Sequence, residues 1–194
     1  MIKYENVETN MQDFLEKAIE LDALKFGSFK LKSGIESNYF FNISAFFDSE
    51  SLSFLADCYV NKIINLELSF DLFFGPAYKG IPLASAVAIK YFEVTKKNIP
   101  LAFDRKEEKD HGEGGTIMGS IQGKRVLLID DVLTAGTAIK NSIDIIRENE
   151  GTFEAALVAL DREEQHASGK TYQQFYAEEG LKIFSLAKIS EYKD

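Results

Sequence analysis

The chain has 194 residues, 22 Lys and Arg against 31 Asp and Glu, a formal net charge of −9 and 45% hydrophobic content. That length suits one domain with a full core, and the acidic balance speaks against a protein whose main task is holding a polyanion, so nucleic acid is not an expected partner. One Cys and two His can build neither an internal disulfide nor a structural zinc site, and no stretch reaches the ~20 apolar residues of a membrane span. Met1 to Glu8 carries acidic residues where a signal peptide has a basic start and an apolar block. The expectation is a cytoplasmic protein, mature as it stands, with no membrane partner.

In chain order, Asn10 can cap a helix with Phe14, Leu15, Ala18, Leu21 and Leu24 at the helical period, stopped by Gly27. Phe29 to Leu31 and Tyr39 to Ile43 read as short strands around a Ser33-Gly34 turn. A second helix carries Leu52, Leu55, Ala56, Tyr59 and Ile63. Leu72 to Phe74 is an apolar strand, followed by Gly75-Pro76 and a helix with Leu83, Val87 and Ala88. Ile99 to Phe103 and Val126 to Ile129 are further strands, and the second feeds a helix with Ile139, Ile143 and Ile146 on one face. Ala155 to Leu160 and Ile183 to Ala187 complete the strands, with a helix over Thr171 to Glu178 between them. Continuous apolar strands separated by helices imply an α/β protein whose parallel sheet is covered on both faces, with ligands at the carboxyl ends of the strands. Cys58 falls in an apolar helical pattern and reads as core, and His166 reads as a surface residue.

Loops at those ends carry the unusual residues: Gly75 to Gly80, Asp104 to Gly115, and Asp130 to Ala138. Asp130-Asp131 directly follows Val126-Leu127-Leu128-Ile129, and unpaired buried charge is costly, so the pair needs a reason. Beyond it, Thr134, Gly136 and Thr137 open a helix whose backbone N–H groups and dipole suit a phosphate. The bland alternative is that the acids cap the loop and the threonines cap the helix. No G-x-x-x-x-G-K-[ST] occurs, which excludes a Walker A loop. An anion nest beside two acids suggests a ligand with both phosphate and hydroxyls, such as a phosphorylated sugar.

The run Val126-Leu127-Leu128-Ile129-Asp130-Asp131-Val132-Leu133-Thr134-Ala135-Gly136-Thr137-Ala138 resembles the phosphoribosyl-pyrophosphate loop of type I phosphoribosyltransferases. Phe70 to Pro82, Asp104 to Gly115, and Leu31 to Gly34 with Tyr39-Phe40-Phe41-Asn42 are similar to the orotate phosphoribosyltransferases. The likeness runs from about Phe29 to Leu186. It departs at Asn38, where the family often has Pro.

The resemblance implies a type I phosphoribosyltransferase fold, a central parallel sheet flanked by helices, with a small N-terminal hood over about 1–45 and a core over about 46–187. It implies Mg2+-dependent transfer of the phosphoribosyl group from phosphoribosyl pyrophosphate to orotate, giving orotidine 5′-phosphate and pyrophosphate on the way to UMP. Lys109, His111, Asp130 and Asp131 are the implied catalytic residues. Lys32, Tyr78, Lys79, Arg105 and Lys106 join Lys109 and His111 as donor contacts, together with Asp130, Asp131, Val132, Leu133, Thr134, Ala135, Gly136, Thr137 and Ala138. Phe40, Phe41, Thr134 and Arg162 are the implied orotate contacts. Magnesium is expected to bind mainly through pyrophosphate and water, without dedicated protein ligands. A homodimer sharing the 104–115 loop across subunits is also implied. Alternatives are transfer to another nucleobase, a solvated charge run at 104–115, pairing of Arg162 with Asp161 or Glu163, and a regulator on the same fold.

Overall fold

The computed structural model describes residues 11–30, 36–109 and 115–192, without the side chains of 106–109, 115 and 116. Helix α1 (Met11–Glu20) buries Phe14, Leu15 and Ala18, the stripe its spacing predicts. It does not continue to Leu24. Asp22 at φ 57° breaks it, and Leu24–Lys30 forms a strand, β1, paired antiparallel with β2 (Glu36–Phe41). Gly27 lies inside β1, at φ 152°, where the pairing changes register, so it marks an irregular strand and not a helix end. The Asn10 cap and the Ser33-Gly34 turn lie outside the described residues. Ile43, expected to end a strand, opens a short 3-10 turn, Ile43–Phe46, because the Asn42 side chain accepts the Ser44 N–H at 3.2 Å.

The Asp48 carboxylate accepts the N–H groups of Glu50 and Ser51, each at 3.0 Å, and starts α2 (Ser49–Asn65), which buries Leu55, Ala56, Tyr59 and Ile63. Then come β3 (Leu72–Gly75), α3 (Gly80–Thr95), β4 (Leu101–Lys109), β5 (Gly115–Met118), β6 (Arg125–Leu133), α4 (Thr137–Glu148), β7 (Thr152–Asp161), α5 (Tyr172–Glu178) and β8 (Ile183–Lys188). Thr171 caps α5 through a reciprocal bond with Gln174. The central sheet runs β5-β4-β3-β6-β7-β8, parallel except for β5, which pairs antiparallel with β4.

Two strands outrun their expected ends. The 104–115 segment is not a simple loop, because β4 stays extended to Lys109 and β5 begins at Gly115 as its hairpin partner. Asp130 and Asp131 are strand residues too, since pairing of Asp130 with Val158 and of Val132 with Leu160 holds β6 extended to Leu133. Ladder pairing outweighs the low strand preference of two aspartates.

Alternation assigns the faces. Phe73, Leu127, Ile129, Leu157 and Ala159 share one buried cluster with α2, α3 and the hood residues Phe14 and Tyr39. Leu72, Phe74, Val126, Leu128, Ala156 and Val158 face the other way, onto Ile139, Ile143, Ile146 and Tyr176. The carboxyl ends of β3, β4, β6 and β7 therefore meet at one edge, beside the hood.

Candidate active site

Asp130 sits near the end of β6, 7% exposed, between β3 and β7. Its Oδ1 accepts the Asp131 N–H at 2.9 Å, while its carbonyl oxygen accepts the Tyr59 hydroxyl at 2.7 Å. Burial first, and the neighbouring Asp131 charge second, push the Asp130 carboxyl up to about 7, against an opposing pull from Lys79. Asp131 meets the Lys79 ammonium at 2.9 Å. With Lys79 half-exposed the pair contributes little to stability, but it ties the β3 loop to β6 and fixes a cation beside the acids.

That β3 loop, Gly75 to Gly80, is tightly folded. A side chain at Gly75 would run into the Gly80 carbonyl, and one at Gly80 into the Pro76 ring. The Ala77 N–H donates to the Asp104 carboxylate across from β4, and the Ala77-Tyr78 peptide is cis. Tyr78 projects outward, 67% exposed.

After β6 the chain turns through Gly136, at φ 69°, into α4. Gly136 is itself the cap and offers no side-chain bond, so Thr137 does not cap the helix and the first-turn N–H groups lack a side-chain acceptor at that cap. The Tyr176 hydroxyl donates to the Ala135 carbonyl at 3.2 Å, and its ring closes the space where a Gly136 side chain would stand. An anion with hydroxyls attached fits this arrangement: N–H donors at the helix start, carboxylate acceptors a few residues before.

Arg162 follows β7 and donates its backbone N–H to the Leu133 carbonyl at 3.1 Å, which sets it beside Thr134. Its guanidinium does not pair with Asp161 or Glu163. Nε donates to the Tyr39 hydroxyl at 2.9 Å, Nη2 to Ser37 Oγ at 3.4 Å, and Glu164 Oε1 lies 3.4 Å from Nε. Beneath it, Asp161 is 2% exposed; Oδ1 accepts the Glu163 N–H at 2.8 Å, Glu163 takes φ 53°, and burial raises the carboxyl.

The family model for the phosphoribosyl transferase domain matches residues 44–183. The chain is 47% identical over 182 residues to an orotate phosphoribosyltransferase of Xanthomonas campestris pv. campestris, covering 92% of this chain and 83% of that one. It belongs to the orotate phosphoribosyltransferases. Orotate phosphoribosyltransferase 2 of Saccharomyces cerevisiae is 53% identical over 163 residues, 82% of this chain and 72% of that one. The solved orotate phosphoribosyltransferase of Francisella tularensis is 34% identical, with a TM-score of 0.79 over 91% of this chain and 82% of that one. The fold is accordingly the type I phosphoribosyltransferase fold, with β1 and β2 as the hood sheet and β5 as an antiparallel edge. Among the described residues no helix is long and apolar enough to cross a membrane.

Within this phosphoribosyltransferase frame, Tyr78, Lys79, Asp130, Asp131, Thr134 to Ala138 and Arg162 gather at the carboxyl edge. The Leu133 side chain is core, at 1% exposure, and Val132 packs against the hood-side cluster. Phe40 and Phe41 diverge: Phe40 is 40% exposed beside Phe29, while Phe41 turns inward with its ring edge to Phe14. Arg105 lies on β4, half-exposed. Lys106 and Lys109 are on β4 with their side chains outside the described residues, as are Lys32 and His111 altogether. Sequence reasoning missed Ser37, Tyr39, Tyr59, Asp104 and Tyr176. A buried tyrosine in an apolar pattern was the available signal, because its hydroxyl must find a partner.

Proposed function

We propose that this chain transfers the 5-phosphoribosyl group from phosphoribosyl pyrophosphate to orotate, a step of pyrimidine nucleotide synthesis. The observation that carries the reading is the meeting of an acid pair, a glycine-opened helix and Arg162 at one sheet edge. Orotate's ring nitrogen, having given up its proton to water, forms the new bond to the anomeric carbon as the bond to the pyrophosphate oxygen breaks and pyrophosphate leaves with the bonding pair. The nucleophile belongs to the substrate. A chain with one Cys and two His can therefore serve, because catalysis rests on positioning and on stabilising charge that develops on the sugar and on the leaving group.

In this reading Asp130 and Asp131 accept the ribose hydroxyls, and the N–H groups of Thr134 to Ala138 hold the 5′-phosphate. Tyr78 and Lys79 contact the diphosphate, with Lys32, Arg105, Lys106, Lys109 and His111 closing around it and excluding water. Thr134, Arg162, Phe40 and the backbone of Phe41 receive orotate, with the Arg162 fork on the carboxylate. Asp130 and Asp131 present carboxylate oxygens, the hard donors magnesium takes. The ion would be held mainly through pyrophosphate and water, beside these carboxylates. When bound, magnesium neutralises charge on the pyrophosphate. The chain acts as a single catalytic domain in the cytoplasm.

The test is loss of orotate absorbance with phosphoribosyl pyrophosphate and magnesium, with adenine, hypoxanthine and uracil as competing acceptors. Turnover of another base in preference to orotate overturns the acceptor, and undiminished turnover after rigorous chelation overturns the metal.

The functional unit is a homodimer in which the β4–β5 hairpin, at the edge of the sheet, reaches the partner's site. Mixing Lys109→Ala with inactive Asp131→Asn then restores activity, since a heterodimer has one site with both lesions and one with neither. No recovery after demonstrated subunit exchange rejects the shared loop.

A further inference from the structure

One edge of the Arg162 fork is already occupied. Nε and Nη2 point along the same side of the guanidinium, and they donate to Tyr39 Oη at 2.9 Å and Ser37 Oγ at 3.4 Å. Glu164 Oε1 lies 3.4 Å from Nε. The hydroxyl protons are committed elsewhere: Tyr39 donates to the Arg162 carbonyl at 3.3 Å, and Ser37 donates to the Tyr39 carbonyl at 2.7 Å. Both oxygens thus turn lone pairs toward the guanidinium, and the Tyr39 ring lies 5.0 Å from its Cζ.

We infer that Ser37 and Tyr39 are positioning residues, holding Arg162 by its side edge so that the Nη1–Nη2 end edge faces the carboxylate of the acceptor base. This rests on the reading of Arg162 as the carboxylate contact. An unrestrained arginine loses rotamer freedom on binding a ligand, and a fork fixed beforehand avoids that loss. The two hood side chains belong to β2, and the arginine follows β7, so the hood sets how well the core recognises a carboxylate. Neither hood residue need touch the substrate for this effect. It appears only with ligands that carry the carboxylate.

The experiment compares calorimetric binding of orotidine 5′-phosphate and uridine 5′-phosphate, which differ by that carboxylate alone. Tyr39→Phe keeps the buried ring and removes the hydroxyl. It should lower the preference for orotidine 5′-phosphate roughly three- to tenfold, while leaving uridine 5′-phosphate binding unchanged. Ser37→Ala, which removes the longer of the two bonds, should lower it roughly twofold. In an Arg162→Ala background neither change should have a further effect. If Arg162→Ala leaves the preference intact, Arg162 is not the carboxylate contact and the inference falls with that reading. If Arg162→Ala abolishes the preference, yet Tyr39→Phe and Ser37→Ala spare it or weaken both nucleotides equally, only the positioning role is overturned.

Discussion

In the proposed site, residues 130 to 138 build the donor side within one strand, turn and helix, whereas the acceptor side brings together Arg162 and Ser37, which are 125 residues apart. The two halves also differ in support. Asp130 lies on a central strand of a six-stranded sheet, paired there with Val158 of β7 just beyond the last β3 pairing at Leu128. Tyr39 and Phe40 lie in a two-stranded sheet, and such a hairpin is marginal in water unless something packs on it. Here α1 packs on it through Phe14 against Phe41, and Arg162 ties it down through Tyr39. Changes on the donor side should therefore register in stability as well as in catalysis. Those on the acceptor side should register mainly in ligand binding.

The sharpest test of that contrast uses two glycines, both in the left-handed region. Gly136, at φ 69°, opens the donor helix against Tyr176, and Gly169, at φ 80°, lies in the segment after Arg162 with open space where a side chain would go. Gly169→Ala should cost only the backbone strain, about 1 kcal/mol. Gly136→Ala adds a collision with a ring that is 7% exposed, for a total of ~3 kcal/mol. At roughly 2–4 °C per kcal/mol for a chain of this size, calorimetry should separate the two melting temperatures by ~4–8 °C. Gly136→Ala should also raise KM for phosphoribosyl pyrophosphate by about tenfold or more. Equal melting losses for the two variants would mean that Tyr176 does not brace the donor loop.

The same contrast decided what could be read from the sequence. Asp130-Asp131 and Gly136 stood out because a strand, two acids and a helix start are contiguous, so local pattern and chemistry coincide. The end of the first helix was misread because Leu24 serves equally as a helical stripe residue and as the inward residue of a strand; β-pairing with Phe41 decides. Strand β5 has only four residues, Gly115–Met118, too few to show an alternation, and only its pairing with β4 identifies it. Tyr39 is core, at 7% exposure, and its hydroxyl bond to Arg162 spans 123 residues and leaves no periodic trace. Contacts that depend on register between distant strands are invisible until the sheet is assembled.

A smaller effect separates the halves by charge. With the Asp130 carboxyl at about 7 in the folded free enzyme and about 3.9 in the unfolded chain, the folded state binds the extra proton between about pH 4 and pH 7. Stability must then fall as pH rises through that window and level off above it. Asp130→Asn keeps an oxygen for the Asp131 N–H and removes the buried charge. In the free enzyme it should raise the melting temperature at pH 8 and leave it unchanged at pH 4. Arg162→Ala on the acceptor side should show no such pH-dependent gain, because it leaves the buried Asp130 carboxyl in place. An equal gain for Asp130→Asn at both pH values would assign the effect to packing and remove the charge argument. The stabilised variant should also lose turnover, since the proposed ribose contact needs a carboxylate that the folded protein holds at a cost; stability surrendered at a buried acid is then the measure of what the donor half spends on binding.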